Sequence, residues 1–308
     1  MQIRNKKTIS GAMLEVDYYP IFADGRRVPT RAPKTKPSTE AQEKYNRAQA
    51  KKKIVRLVNA NFDSTDYFVH PTYEDWQAPQ SEEQARKDIV NYLRRIKTKR
   101  NSERKKAEAE LKELEVLCTG SESKFTVARL DKLRHKVKKL AEPLKYIYVM
   151  ERQEYKSGAR KGQLNWHFHL FMNGGLDAET VESMWPYRIN CNRYQPEKFG
   201  FEAAAKYIAK DPCGNKSFAY SKNLNQPTVL EPKDGKVSKK YVERIARERV
   251  DDKEFWEKKF KGYRFVRLVK KYNEFNLNWY VSVIMVKADT GQMRDNPNCY
   301  DDWLDDVC

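Results

Sequence analysis

The sequence predicts an α+β protein, and three observations carry that prediction. Residues 144–151 and 164–172 are apolar, aromatic runs separated by a turn rich in Gly and Lys, which is the pattern of an antiparallel hairpin. Residues 81–96 and 100–142 instead repeat Leu, Ile and Val at helical spacing. Two further β-rich runs, 263–269 and 277–286, follow near the end.

In chain order, residues 1–60 carry fourteen Lys or Arg against five Asp or Glu, include Pro29, Pro33 and Pro37, and lead into Lys51-Lys52-Lys53. Residues 1–53 therefore read as a basic arm or as an unpacked terminus kept in solution by its charge. Ordered structure is expected from Ile54, where Ile54-Val55-Arg56-Leu57-Val58 and then residues 66–73 have the β-branched and aromatic content of strand. Ser81 precedes Glu82 and Glu83, and Ile89, Tyr92, Leu93 and Ile96 follow at helical spacing, so a capped helix of about five turns is predicted. Residues 100–142 look inserted: Leu111, Leu114, Leu117 and Cys118 form one apolar stripe, and Leu130, Leu133, Val137 and Leu140 form another. With a polar turn at 119–123 between them, they predict a helical hairpin. Its second helix carries Arg129, Lys132, Arg134, Lys136, Lys138 and Lys139 against Asp131, which suits a DNA backbone or a merely solvated face. After the apolar hairpin, Asp177 caps a short helix through Met184, 187–192 reads as a short strand, and 196–210 contains a helix. Residues 238–260 read as one charged helix, and the chain turns acidic from Asp295.

Composition restricts the class. Over 308 residues the apolar fraction is 39% and the charged fraction 34%, yet 12% aromatic content is too rich for a disordered polyelectrolyte. A net charge of +18 is the footprint of a partner made of phosphates. No apolar run approaches the length of a membrane span and the first residues lead into no signal-peptide core, so a cytoplasmic protein without membrane contact is expected. The five cysteines are odd in number and contain no C-x-x-C, which argues against a disulfide framework or a zinc site.

The chemistry concentrates in Trp166-His167-Phe168-His169-Leu170. Two of the four histidines flank one residue, and on a strand they share a face while Trp166, Phe168 and Leu170 point into a core. Taken alone, this pair fits two surface histidines as well as it fits two metal ligands. The partner strand ends in Glu151-Arg152-Gln153-Glu154, and a carboxylate across the hairpin would complete a three-ligand site. Strand alternation sets Glu151 and Gln153 on one face and Glu154 on the other, and the neutral Gln153 is the weaker ligand. Further on, Tyr207 and Lys210 stand three apart, on one side of a helix. By itself Tyr207 reads as a packing residue; beside a metal that polarises a phosphodiester, its phenol becomes a nucleophile for reversible strand exchange.

Glu151, His167-Phe168-His169 and Tyr207-x-x-Lys210, in that order, resemble the HUH endonucleases, and more closely the rolling-circle replication initiator (Rep) proteins of bacterial plasmids and small phages. The likeness covers roughly residues 54–227, with Leu57-Val58-Asn59-Ala60-Asn61-Phe62 and Phe68-Val69-His70-Pro71-Thr72-Tyr73 at the first family motif and Tyr220-Ser221-Lys222-Asn223-Leu224 after the tyrosine. The resemblance implies an HUH-like antiparallel sheet of about five strands flanked by helices, with the histidines on a central strand. It also implies Mg2+ or Mn2+ held by Glu151, His167 and His169, Tyr207 as nucleophile with Lys210 in support, and a 5′-phosphotyrosine link made at a replication origin. The partners it implies are single- and double-stranded DNA, with a host helicase and polymerase. No G-x-x-x-x-G-K-[ST] is present, so unwinding falls to another protein. The organisation that follows is a basic arm at 1–53, a nuclease domain at 54–230 with its insertion at 100–142, a C-terminal α+β extension at 231–294 and an acidic tail at 295–308. Departures are His70-Pro71 in the first motif, which interrupts strand continuity, a lengthened hairpin before His167, and the insertion itself. A relaxase or single-tyrosine transposase would share the chemistry, although relaxases usually place the tyrosine ahead of the histidines. A non-catalytic basic nucleic-acid-binding protein with an incidental histidine pair is the alternative of another class.

Overall fold

The structure is a computed structural model that describes residues 1–22, 40–74, 77–117, 124–154, 161–162, 164–193 and 218–288. In chain order the elements are β1 (Gln2–Ser10), β2 (Met13–Ile21), α1 (Glu40–Asn61), β3 (Tyr67–Val69), α2 (Glu82–Leu117), α3 (Lys124–Ala141), β4 (Tyr146–Glu154), β5 (Leu164–Met172), α4 (Ala178–Ser183), β6 (Cys191–Arg193), β7 (Ala219–Tyr220), β8 (Thr228–Val229), β9 (Lys233–Val237), α5 (Lys239–Glu248), α6 (Lys253–Lys259), β10 (Tyr263–Asn273) and β11 (Asn278–Lys287). The fold is α+β with two antiparallel sheets, one in each of two compact units.

The first unit corrects the expected arm. Residues 2–21 are a β-hairpin paired from Gln2↔Ile21 to Ser10↔Met13, and β1 and β2 sit inside a sheet ordered β10-β11-β2-β1-β8, with β9 also on β1. The hairpin turns through Gly11, whose φ of +58° suits glycine and where a Cβ would sit 2.0 Å from the Asn59 carbonyl oxygen. Alternation along β2 explains why a charged segment folds: Leu14, Val16 and Tyr18 enter a core with Val242, Ile245 and Ala246 of α5 and Trp256 of α6. Glu15 and Asp17 take the other face, where Lys52 and Arg56 of α1 reach them. Residues 54–58, expected as strand, are helical, because the run continues a helix begun at Glu40 without a breaker and buries Ile54, Leu57 and Val58 at i, i+3 and i+4. The charged helix expected over 238–260 is two helices; Asp252 accepts from Phe255 N at 3.0 Å and starts the second. The paired strands β10 and β11 complete the sheet.

The second unit carries a five-stranded antiparallel sheet in the order β6-β3-β5-β4-β7, with β5 at its centre. The α2 helix covers one face, packing Ile89, Tyr92, Leu93 and Ile96 against Tyr148, Met150, Trp166, Phe168 and Leu170. Ser81 caps it, accepting from Gln84 N at 3.2 Å. Instead of ending after about five turns, α2 runs for 36 residues and absorbs the first arm of the expected insertion, since no Gly or Pro falls between Glu82 and Leu117. The α3 helix packs along it, joined by exposed ion pairs from Arg129 to Glu110 at 2.8 Å and from Arg134 to Glu115 at 2.9 Å. Asp177 caps α4 as the sequence indicated, accepting from Thr180 N at 2.7 Å. The expected helix at 196–210 and the acidic tail at 295–308 lie outside the described residues. Among the described residues no helix is long and apolar enough to cross a membrane.

Candidate functional site

The site is built on the central strand. Trp166, Phe168 and Leu170 are buried beneath α2, so His167 and His169 are turned together to the opposite face. On β4, Glu151 pairs directly with His167 and therefore shares that face. Its Oε2 lies 3.1 Å from Nε2 of His169. Glu154 pairs with Leu164 and faces away, as alternation predicts.

On the other side of β5, regular pairing of β3 ends at Val69, because Pro71 has no N–H to donate. The register nevertheless continues: Pro71 O accepts from Phe168 N at 2.9 Å, and Thr72 bridges His167. The interruption expected at His70-Pro71 thus costs one ladder bond and leaves the alignment intact. His70 and Thr72 consequently fall on the histidine face. Nδ1 of His70 is 3.0 Å from Nδ1 of His169, and Thr72 Oγ1 is 3.0 Å from Nδ1 of His167. Neither His70 nor Thr72 was singled out as a site residue from the sequence; the available signal was their even spacing from Phe68 along the strand.

Burial and mutual proximity keep these imidazoles neutral. Burial, then His169 and His167, pushes His70 down to about 4. For His167 and His169 burial is again the largest cause, and it lowers both despite the nearby Glu151 carboxylate. Neutrality fixes the proton positions. If His169 Nε2–H donates to the Glu151 carboxylate, its Nδ1 must accept, and His70 Nδ1–H is the donor that meets it. The cluster is thus a directed chain from His70 through His169 to Glu151, with His167 held separately by Thr72 and left half-buried.

The donor chemistry suits a divalent cation, since neutral imidazole and carboxylate are ligating forms. The arrangement is closed on itself, however, with both nitrogens of His169 hydrogen-bonded, and among the described residues no three His, Cys, Asp or Glu side chains form a group placed to hold a metal. Tyr207 and Lys210 lie outside the described residues. Tyr220 pairs with Ile147, which puts it on the histidine face, four residues along β4 from Glu151 or roughly 13 Å at strand rise. Comparison of the chain with protein-family models, with curated proteins and with solved structures finds no match.

Proposed function

We propose that the protein is a rolling-circle replication initiator that nicks one DNA strand at an origin by tyrosine transesterification. The observation that carries this reading is the pairing of Glu151 with His167, and the contact of Glu151 with His169, on the central strand of a five-stranded antiparallel sheet. The net charge of +18 supports a DNA partner. In this proposal Glu151, His167 and His169 hold Mg2+ or Mn2+ once the hydrogen bond between His169 and Glu151 is exchanged for metal contacts. The ion, when bound, supplies Lewis-acid polarisation of the scissile phosphate. The Tyr207 phenolate oxygen attacks phosphorus, the bond to the 3′ oxygen breaks, and that oxygen takes a proton from water, leaving a 5′-phosphotyrosine adduct and a free 3′-hydroxyl. Lys210 stabilises the charge that develops on the phosphoryl oxygens. The 3′-hydroxyl then serves a polymerase, with a host helicase opening the duplex, and a second transesterification rejoins the strand. The same reading places its work in the cytoplasm.

The test is incubation with a labelled single-stranded oligonucleotide library and Mn2+. Covalent tagging of the wild-type protein and none of Tyr207→Phe is the expected result; tagging of Tyr207→Phe would move the nucleophile to another tyrosine, with Tyr220 on the histidine face the first to examine. A second reading is favoured by the closed hydrogen-bond chain: a basic nucleic-acid-binding protein in which the histidines only stabilise the sheet. It requires DNA binding with no adduct under any divalent ion.

A further inference from the structure

The second unit holds a cleft of about 530 Å³ on the sheet face opposite the histidines, within the ~300–1,000 Å³ typical of ligand sites. It opens between α2, the end of α3, the start of β4 and the segment after β7. Tyr146 alternates with Ile147 and so points away from the face that carries Glu151. Its backbone is fixed by two bonds with Ser221, at 3.1 Å to Oγ and 3.0 Å from its N–H.

The cleft combines two chemistries. Leu93, Leu144 and the Tyr146 ring form an apolar wall, while Arg94, Lys97 and Lys222 are exposed at its rim and Glu142 is its one acidic lining residue. Among the described residues none of the three rim cations forms an ion pair; Arg94 donates to the neutral Asn91 amide at 2.6 Å. Behind the wall lies Arg100, 2% exposed, whose guanidinium donates to the backbone carbonyls of Asn173, Gly174, Lys139 and Glu142. Those carbonyls satisfy its hydrogens, and the Glu142 and Asp66 carboxylates lie near enough to act on its charge, so the cations open to a ligand are the three at the rim. A simple anion would leave the aromatic wall unused, and an apolar ligand would strand the cations. A phosphate joined to a planar base uses both.

We propose that this cleft binds a nucleotide unit, with its phosphate on Arg94, Lys97 and Lys222 and its base against Tyr146 and Leu144. The unit can come from a free nucleotide or from a single strand, and the inference does not rest on strand cleavage at the histidine face. The test uses the full chain without divalent metal and a twelve-nucleotide oligothymidylate carrying 5-iodouracil, with irradiation followed by peptide mapping. A cross-link at Tyr146 is expected. The triple variant Arg94→Ala/Lys97→Ala/Lys222→Ala, altered at exposed positions, should bind the strand at least tenfold more weakly. Its log–log salt slope should be shallower by about 0.7, the contribution of one phosphate contact on a single strand. Loss of the cross-link on addition of thymidine monophosphate supports the site with a free nucleotide as occupant; a cross-link that persists supports it with a strand as occupant. Cross-linking confined to other segments, unchanged affinity in the triple variant, or displacement by inorganic phosphate as effective as by thymidine monophosphate would overturn it. Because the readout needs neither Mn2+ nor Tyr207, its failure is distinguishable from failure of the nicking reaction.

Discussion

The two antiparallel sheets treat their polar residues in opposite ways. In the first, Glu15 and Asp17 lie under α1 and are met by full countercharges: Arg56 reaches Glu15 at 2.6 Å, and Lys52 lies 3.4 Å from each carboxylate. In the second, the polar residues on the face of β5 away from α2 are neutral imidazoles whose partners are another imidazole, a hydroxyl and one carboxylate. A buried ion pair that is fully matched has nothing left to offer a ligand, and its removal is costly. A chain of neutral imidazoles ending on one carboxylate holds no matched ion pair to break. Similar numbers of polar side chains therefore form matched ion pairs in one sheet and a neutral hydrogen-bond chain in the other.

Four experiments test this contrast. The largest effect is expected from deleting residues 1–21: two strands from the interior of the first sheet would be lost, and β11 would no longer have β2 to pair with. Loss of the cooperative melt, or an insoluble product, is the expected outcome. Survival of wild-type stability together with a flatter salt dependence of DNA binding would restore these residues to the role of an arm.

Next is Arg56→Ala, which removes one of the two cations within ion-pair distance of Glu15 and Asp17 and should cost about 3–5 kcal/mol in denaturant unfolding. Burial alone would raise the Asp17 carboxyl, but Lys52, the Ser282 hydroxyl and Arg56 together hold it below its ordinary range. Its stabilisation is therefore complete above the unfolded value of ~3.9 and is lost as pH falls through the lower folded value. The variant should lose stability at a higher pH than the wild type. An acid limb that does not move would mean that Lys52 and Ser282 suffice.

Third, Glu151→Ala should raise the Mn2+ concentration for half-maximal nicking by ~10–100-fold while Glu154→Ala barely moves it. The two carboxylates lie on opposite faces of β4, so equal sensitivity would contradict the pairing of Glu151 with His167. The smallest effect is expected from His70→Ala, which removes the donor to His169 Nδ1 without removing a proposed ligand. A severalfold rise in the Mn2+ requirement with an unchanged melting temperature would identify His70 as a positioning residue. A lowered melting temperature with an unchanged Mn2+ requirement would assign the chain of imidazoles to stability.

Legibility in the sequence followed the reach of the interactions. The bounds of β5, the Asp177 cap and the shared face of His167 and His169 were readable, because each depends on residues a few positions apart. Ile54 to Val58 misled because β-branched content favours strand only where a sheet is available, and the helix is set by the residues before it. The hairpin at Gln2–Ile21 was obscured by its charge, although Gly11-Ala12 between two alternating runs was a local signal for it.

Strand alternation, a property of the backbone, determined from sequence alone that His167 and His169 share a face and that Glu151 and Glu154 do not; the hairpin register then put Glu151 on the histidine side. Tertiary structure alone decided that Pro71 would keep its carbonyl in the ladder, that His70 would meet His169 as a result, and that Glu15 and Asp17 would find Lys52 and Arg56. These contacts join segments from 35 to about 100 residues apart. Their geometry depends on register and desolvation across a sheet or beneath a helix, which no local pattern of residue types encodes.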